Sequence, residues 1–189
     1  MRVAVVGSGI GGLCTAIGLQ RAGADVVVFE RARDLRPGGS GLSLFGNAVH
    51  ALDSLGLGEG IRSITDAKAR SFRGGQRRPD GSWLSVYPMD ALTELRVVDR
   101  AALHGLLTSS LAPCTLVAGR RVVSASEEGT VRHAAADGSE KVDRFDLVIA
   151  ADGLRSTIRG QWPEDPGIVY AGYSTWRGIT ERPVDLGGE

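Results

Sequence analysis

Three glycines near the start of the chain stand at the spacing that a pyrophosphate-binding turn requires. The stretch VVGSGIGGLC places Gly7, Gly9 and Gly12 in the pattern G-x-G-x-x-G. In this pattern the first glycine forms a tight turn, the second lets the backbone approach a pyrophosphate, and the third packs a helix against a strand. Ile10 and Gly11 lie at the start of that helix, where free N–H groups and the helix dipole favour an anion. These five residues are therefore predicted to hold a phosphate.

The segments around the turn predict a βαβ unit. Residues 2–6 and 26–29 are typical of short buried strands, and residues 10–22 of a helix. Glu30 follows the second strand, 18 residues after the last glycine, near the position of an acid that accepts hydrogen bonds from a ribose. Its charge repels a 2′-phosphate, so the pattern favours the adenosine half of FAD or NAD over NADP. Arg31 fits either a phosphate contact or a solvated position.

The chain after the second strand departs from a simple nicotinamide dehydrogenase, in which one helix would lead directly to the third strand. Residues 31–96 instead contain a glycine-rich loop, an amphipathic helix over 47–57, and two strands joined by a turn at 79–81. Asp99 is placed to cap a helix over 100–111, which is followed by a strand within 114–119.

Three short alternating runs precede a last buried strand. They cover 120–128, 130–137 and 140–146, and the Glu-Gly and Asp-Gly turns between them predict an antiparallel meander. The buried strand lies within 145–153. A sheet whose later crossover is a β-meander rather than a helix is typical of flavoproteins. The predicted fold class is therefore α/β, with a Rossmann-like FAD-binding domain and a β-meander crossover.

Composition and charge limit the expected partners. The 22 Lys and Arg residues balance the 22 Asp and Glu residues, so no net field recruits nucleic acid or an anionic membrane. No stretch reaches the ~20 apolar residues of a membrane span, and the glycine-interrupted start lacks a signal-peptide cleavage site. We expect a cytoplasmic protein with a small-molecule partner and no metal. Cys14 and Cys114 are expected to be reduced and buried, and His50, His104 and His133 to be structural.

Five segments together resemble the flavin-dependent aromatic hydroxylases, the para-hydroxybenzoate hydroxylase-like monooxygenases. In order, they are VVGSGIGGL with VVVFER, GSGLSLFGNAVHALDSLGL, RVVDRAALHGLL, FDLVIAADGLRSTIR and YAGYSTWRGIT. The resemblance runs over essentially all 189 residues. It implies FAD as the cofactor, NADH or NADPH as the reductant, and a mixed-sheet substrate domain that begins near residue 166.

The resemblance implies roles for individual residues. Arg100 would contact the FAD phosphates or ribose, because a guanidinium can pair bidentately with phosphate; a solvated first-turn arginine is the alternative. Asp152 and Gly153 match the family's Asp-Gly motif, a second nucleotide contact associated with both FAD and reduced nicotinamide. Ala150 stands where the family commonly has glycine, which bears on the nicotinamide contact rather than on FAD.

The remaining matching positions lie in a loop, at a helix start and in the last segment of the chain. Residues 39–42 resemble the loop that passes near the flavin ring. Asn47 matches a helix start, where a capping role fits equally well. Within the strand-like segment 170–180, Trp176 is expected in the core, and Arg177 is a candidate charge facing flavin or substrate.

The implied function is that of a monooxygenase that uses NAD(P)H and O₂ to hydroxylate a small, aromatic substrate through a flavin hydroperoxide. Residues 1–165 would form the FAD-binding domain, with 66–96 able to contribute strands toward the substrate domain, and 166–189 would begin that domain. The family's later Gly-Asp motif has no counterpart, so the chain is expected to be the N-terminal part, with the remainder on another chain or missing. Catalytic residues are not identifiable. The alternatives are a reductase or halogenase of the same fold, a plain NAD dehydrogenase, and an inactive FAD-binding module.

Overall fold

The computed structural model describes residues 1–35, 40–66 and 73–176. It contains a parallel sheet of four strands. The strand order is β12-β1-β2-β8, and each neighbouring pair is parallel. These strands are β1 (Arg2–Val6), β2 (Asp25–Phe29), β8 (Leu116–Val117) and β12 (Leu147–Ala150). The prediction for β1 is confirmed to the residue, since its run of small apolar side chains is buried on both faces of the sheet.

Helix α1 (Ile10–Arg21) covers one face of this sheet. It packs Ala16 and Leu19 against the strand residues Val3, Val5 and Val28. The predicted helix ran one residue further, to 22. The helix stops at Arg21 because Gly23 adopts a left-handed conformation, with φ of 83°, and its amide turns back to the Gln20 carbonyl.

An antiparallel meander covers the opposite face. It consists of β9 (Arg120–Ala125), β10 (Thr130–Ala135) and β11 (Glu140–Arg144) in the order β11-β10-β9, as predicted. Val122 and Val131 of the meander share a core cluster with Ala4, Val6 and Phe29 of the sheet. The meander therefore replaces a helix as the crossover between β8 and β12, which lie at opposite edges of the sheet.

Backbone contacts divide the chain into two compact units, and the sheet, α1 and the meander belong to the first. That unit comprises Met1–Pro37 and His104–Thr175, and the second comprises Gly38–Leu103 and Trp176–Glu189. The predicted domains, 1–165 and 166–189, stay a prediction.

The second unit contains a three-stranded antiparallel sheet in the order β3-β7-β4, a β-hairpin and two short helices. Its elements are β3 (Gly41–Leu44), α2 (Gly46–Ser54), α3 (Gly58–Ser63), β4 (Thr65–Asp66), β5 (Gly75–Arg77), β6 (Trp83–Val86) and β7 (Arg96–Asp99). The helix predicted over 47–57 ends at Ser54, because Gly56 at φ of 75° closes it with the same left-handed turn that ends α1. The hairpin turn at 79–81 is confirmed.

Helix α4 (Arg100–Ser109) begins where the sequence predicted. The Asp99 carboxylate accepts hydrogen bonds from the amides of Ala101 and Ala102 at 2.7 and 3.0 Å, which confirms the cap. The predicted end at residue 111 is wrong. The hydroxyls of Ser109 and Ser110 both donate to the Leu106 carbonyl oxygen, and such local bonds compete with helical ones.

Three further predictions and one alternative are contradicted by the structure. Cys14 is half-buried and Cys114 is exposed, whereas both were expected to be buried; Cys114 lies in a turn before β8 with a left-handed φ of 62°. Asn47 does not cap α2, whose first flanking residue is Phe45, so the capping alternative is wrong. Residues 170–176, the described part of the strand-like segment 170–180, form no strand, and Trp176 is 90% exposed rather than in the core. Residue 39 and Arg177 lie outside the described residues. No helix in the described ranges is long and apolar enough to cross a membrane.

Candidate functional site

The glycine turn lies at the carboxyl end of β1 and has the close packing that its pattern predicts. Gly7 has a φ of 103°, and its amide donates to the Phe29 carbonyl oxygen at 2.8 Å. A Cβ on Gly7 would lie 2.5 Å from the Ala151 carbonyl oxygen, and a Cβ on Gly12 would overlap the Gly7 carbonyl oxygen. Both positions therefore require glycine for packing within the protein itself.

The start of α1 is open and carries no group of its own that neutralises the helix dipole. Gly9 precedes the first helical residue, makes no side-chain cap, and is followed by no acidic residue in the first turn. A Cβ on Gly9 or on Gly11 would meet no atom within 4 Å. The first amides of a helix have no intrahelical acceptor, so Gly9, Ile10 and Gly11 border a space that suits an anion.

Glu30 follows β2 and binds the glycine turn directly. One carboxylate oxygen accepts hydrogen bonds from the amide and hydroxyl of Ser8, at 3.0 and 2.8 Å. The other accepts from the Ala32 amide at 2.8 Å. Burial alone would raise the pKa of the Glu30 carboxyl, but these hydrogen bonds and the charge of Arg31 outweigh it and hold the pKa below its usual value. A carboxylate has about four acceptor positions, so three protein donors leave capacity for a ribose hydroxyl.

Asp152 and Gly153 follow β12 and lie beside the glycine turn. A Cβ on Gly7 would approach the Asp152 Cα to 3.1 Å. One Asp152 oxygen accepts from the amides of Thr157 and Ile158, at 2.6 and 3.2 Å. The other, Oδ1, is buried and has no hydrogen-bond partner among the described residues. Because an unpaired buried carboxylate oxygen is costly, this atom has unused acceptor capacity that a water or another donor would satisfy.

These features fit a dinucleotide. The turn, Glu30 and Asp152 all follow adjacent strands of the parallel sheet, where ligands of such folds bind. The open helix start suits a pyrophosphate, and carboxylate oxygens suit ribose hydroxyls.

Two arginines, Arg31 and Arg100, were predicted from the sequence to bind the cofactor. Arg31 is exposed, and its charge acts on Glu30. Arg100 is half-buried at the start of α4 and belongs to the second unit; its amide donates to the Ser40 carbonyl oxygen at 3.1 Å. A role for either in binding a cofactor stays a prediction.

Two residues of the turn's surroundings were not predicted as site residues. Ser8 is 3% exposed, and the ring nitrogen Nε2 of His104 lies 2.8 Å from its carbonyl oxygen. His104 is itself buried within α4, as a structural histidine should be. The sequence did carry a signal, since a histidine between the leucines of AALHGLL needs a buried polar partner. The remaining histidines lie in α2 (His50) and in β10, where His133 bonds Asp143 at 2.9 Å.

Comparison with known proteins gives a consistent family. Residues 1–182 match a protein family described as "FAD binding domain". The chain is 36% identical to 3-amino-4-hydroxybenzoate 2-monooxygenase of Streptomyces cremeus, covering 97% of this chain and 47% of that protein. It is 32% identical to the FAD-dependent urate hydroxylase of Klebsiella pneumoniae, covering 96% and 48%. The chain thus spans about half the length of the curated relatives it matches.

Solved structures agree with this result. A crystal structure of 2-methyl-3-hydroxypyridine-5-carboxylic acid oxygenase matches with a TM-score of 0.70 and 25% identity, over 84% of this chain and 41% of that one. Klebsiella pneumoniae HpxO complexed with FAD and uric acid matches with a TM-score of 0.65 and 26% identity, again over 84% and 41%. The glycine turn, the meander crossover and these matches place the chain in the family of FAD-binding domains.

Proposed function

We propose that the protein acts as the FAD-binding part of a monooxygenase that uses NADH or NADPH and O₂ to hydroxylate a small aromatic or heteroaromatic substrate. The observation that carries the proposal is the open start of α1, which has no side-chain cap and lies with Glu30 and Asp152 at the carboxyl edge of one parallel sheet. The names of the relatives support the reaction class, since they are hydroxylases and oxygenases of aromatic or heterocyclic compounds.

The chain's own residues would hold FAD in parts. The amides of Gly9, Ile10 and Gly11 would donate to the pyrophosphate, and Gly7 and Gly12 would let the turn pack closely enough to present them. Glu30 would accept from the adenosine ribose through its remaining acceptor capacity. Asp152 would accept a donor from the cofactor through Oδ1, next to Gly153, where a Cβ would meet no atom within 4 Å. Arg31 and Arg100 are further candidates for the phosphates.

When bound, the flavin would supply the redox chemistry of the reaction. The role of this chain's own residues would be to bind and orient the cofactor. The Ser8 hydroxyl donates to the Glu30 carboxylate at 2.8 Å, but Ser8 is only 3% exposed and its groups are used within the turn, so we assign the protein no covalent step.

The proposal is tested by adding FAD to the purified protein, removing unbound flavin by desalting, and recording the absorbance spectrum. NADH or NADPH is then added without oxygen. Retained flavin bands that bleach support the proposed function, and product analysis under O₂ with aromatic acids distinguishes a hydroxylase from a reductase. Flavin that is retained but never bleaches would support FAD binding and contradict reduction of the flavin by NADH or NADPH in this chain. No retained flavin together with NAD binding overturns it.

A matched pair of variants tests the site. Asp152→Asn leaves the size of the side chain but weakens the acceptor, so we expect the Kd for FAD to rise about tenfold. Asp137→Asn is the control, because Asp137 lies in an exposed hairpin turn, where it accepts hydrogen bonds from Ser139. Equal FAD affinity for both variants would remove Asp152 from the proposed site.

A further inference from the structure

Ser8 is held by side chains on both sides rather than by the backbone ladder. Its amide and hydroxyl donate to Glu30, and its carbonyl oxygen lies 2.8 Å from His104 Nε2. Ser8 is 3% exposed, so none of these groups can turn to water instead. We call these three residues, Ser8, Glu30 and His104, the Ser8 clamp.

The chemistry of the carbonyl fixes the proton on His104. A carbonyl oxygen only accepts hydrogen bonds, so Nε2 must carry the hydrogen in this contact. In a neutral ring Nδ1 is then an acceptor, and it faces the Thr108 hydroxyl at 3.5 Å. The single hydrogen of the Thr108 hydroxyl is donated to the His104 carbonyl oxygen at 2.8 Å, one helical turn back, so the contact with Nδ1 is the weaker of the two. The short bond to Ser8 is therefore the main polar contact that orients the ring.

The Ser8 clamp fixes two successive peptide planes. The described chain contains no cis peptide bond, so the C=O and N–H of each plane point in opposite directions. The Ser8 carbonyl shares its plane with the Gly9 amide, and the bond to His104 therefore aims the Gly9 N–H away from the buried interior. The bond from the Ser8 amide to Glu30 fixes the preceding plane, which Gly7 shares.

Such fixing matters because glycine-rich segments are conformationally free. Three of the six residues from 7 to 12 are needed as glycine by the pattern, and each loses more backbone entropy on ordering than any other residue type. A turn that is already ordered in the ligand-free protein loses little further entropy when the ligand binds, so binding is tighter.

We propose that His104 is a positioning residue for the cofactor: it orients the Ser8–Gly9 peptide so that the Gly9 amide faces the dinucleotide pyrophosphate. This inference rests on the proposed function in assuming that the turn binds FAD. His104 itself touches no cofactor atom, and its effect passes through the Ser8 carbonyl.

Two substitutions of nearly equal length separate the hydrogen bond from the packing. His104→Gln retains an N–H donor near the position of Nε2, whereas His104→Met fills similar space without a donor. We expect His104→Met to raise the Kd for FAD about tenfold and His104→Gln to stay within about twofold of the unmodified protein. His50→Gln, at an exposed position of α2, is the control and should not change the Kd.

Amide hydrogen exchange supplies a readout that a merely structural role would not move. In the ligand-free protein, His104→Met should speed exchange in a peptide covering residues 7–13 and leave residues 130–135 of β10 unchanged, while His104→Gln should change neither. If the Met variant does not fold, His104→Asn replaces it, because its amide is too short to reach Ser8.

The outcomes separate the inference from the proposed function. Equal Kd values and equal exchange for the Gln and Met variants, with FAD retained by the unmodified protein, overturn the role of His104 and leave FAD binding intact. If the unmodified protein retains no FAD and binds NAD instead, the proposed function fails. Faster exchange confined to residues 7–13 in the Met variant would then still establish that His104 orders the turn.

Discussion

Glu30 shows at the scale of one residue how a pattern can identify a side chain and miss what it contacts. Its distance from the last glycine predicted an acid for a ribose, but no distance along the chain indicates that the same carboxylate binds Ser8 and Ala32. These contacts depend on where β1 and β2 end relative to each other. The parallel register, which pairs Val6 with Phe29, brings those ends together.

Replacing Glu30 by Gln should destabilise the protein even without a ligand. The Gln side chain has one acceptor oxygen in place of the two of Glu30. Its NH₂ group must therefore face either the donors of Ser8 or the amide of Ala32, and those donors lose their acceptor. We expect a loss of about 1–3 kcal/mol in the free energy of unfolding, measured by urea denaturation at pH 7. Glu127→Gln, in an exposed hairpin turn, is the control. A Glu30 variant as stable as the control would contradict the contacts.

The same carboxylate predicts a pH dependence. Because folding lowers the pKa of Glu30, its contribution to stability is complete above the usual value of 4.5 and is lost as the pH falls through the lower folded value. The stability difference between the unmodified protein and Glu30→Gln should therefore be constant above pH 4.5 and shrink below it. Thermal unfolding of both proteins over a pH series measures this, and a difference that grows in acid would refute it.

Two glycines of the turn should respond differently to the same added methyl group. Gly12→Ala would place a Cβ on the Gly7 carbonyl oxygen, so it should lower the melting temperature with or without FAD. Gly9→Ala would meet no protein atom within 4 Å, so it should leave the ligand-free melting temperature nearly unchanged and weaken FAD binding by more than tenfold, or about 1.4 kcal/mol. Differential scanning fluorimetry with and without FAD distinguishes them. Unchanged FAD affinity in Gly9→Ala would mean that no ligand approaches there.

At the scale of elements, the sequence predicted best where one local rule determines the outcome. The hairpin turns are correct because Asp137 and Gly138 satisfy their own geometry: Asp137 accepts from the Ser139 amide and hydroxyl, and Gly138 has a φ of 83°. The predicted helix ends were less accurate. Ser109 and Ser110 at the end of α4 make local side-chain hydrogen bonds, and Gly56 after α2 adopts a left-handed conformation. Apolar periodicity indicates neither effect. The strand predicted within 170–180 required a neighbour, and local sequence does not reveal whether one exists.

Two similar turns of the meander differ in what surrounds them. Gly129 and Gly138 both have positive φ, of 80° and 83°. A Cβ on Gly129 would overlap the Phe145 carbonyl oxygen, whereas one on Gly138 would meet nothing within 4 Å. We expect Gly138→Ala to cost about 1–2 kcal/mol through left-handed strain alone, and Gly129→Ala to cost about 1–3 kcal/mol more. Equal losses in urea denaturation would show that Gly129 has room to move.

At the scale of the molecule, the first unit is three layers whose central sheet is covered on both faces. The apolar runs of β1 and β2 predicted buried strands, and the alternating runs predicted the meander, but the sequence did not predict which face of the sheet the meander covers. The sequence could not predict the contacts between layers. The Ser8 clamp joins the glycine turn, the end of β2 and α4, and these lie far apart along the chain.

The meander layer should contribute to stability through its inward side chains alone. Val131 of β10 is fully buried in the cluster beneath the sheet, whereas Val142 of the adjacent β11 is 63% exposed. We expect Val131→Ala to cost about 2 kcal/mol and Val142→Ala less than about 0.5 kcal/mol. Urea denaturation of both variants measures the difference. Similar losses for the two would mean that the meander does not pack on the sheet as described.

The place of β1 between β2 and β12 has a consequence for synthesis. β2 follows within a few residues of α1, but the other partner of β1 is made only when residues 147–150 appear. Contacts so distant in sequence form slowly, because a long loop must close before they are gained. Until then a growing chain presents one row of unpaired β1 amides and carbonyls, which is a template for mispairing. We therefore expect ribosome-bound chains in which residues 147–150 have not yet left the exit tunnel to depend on chaperones, and longer chains to become protease-resistant as the sheet closes.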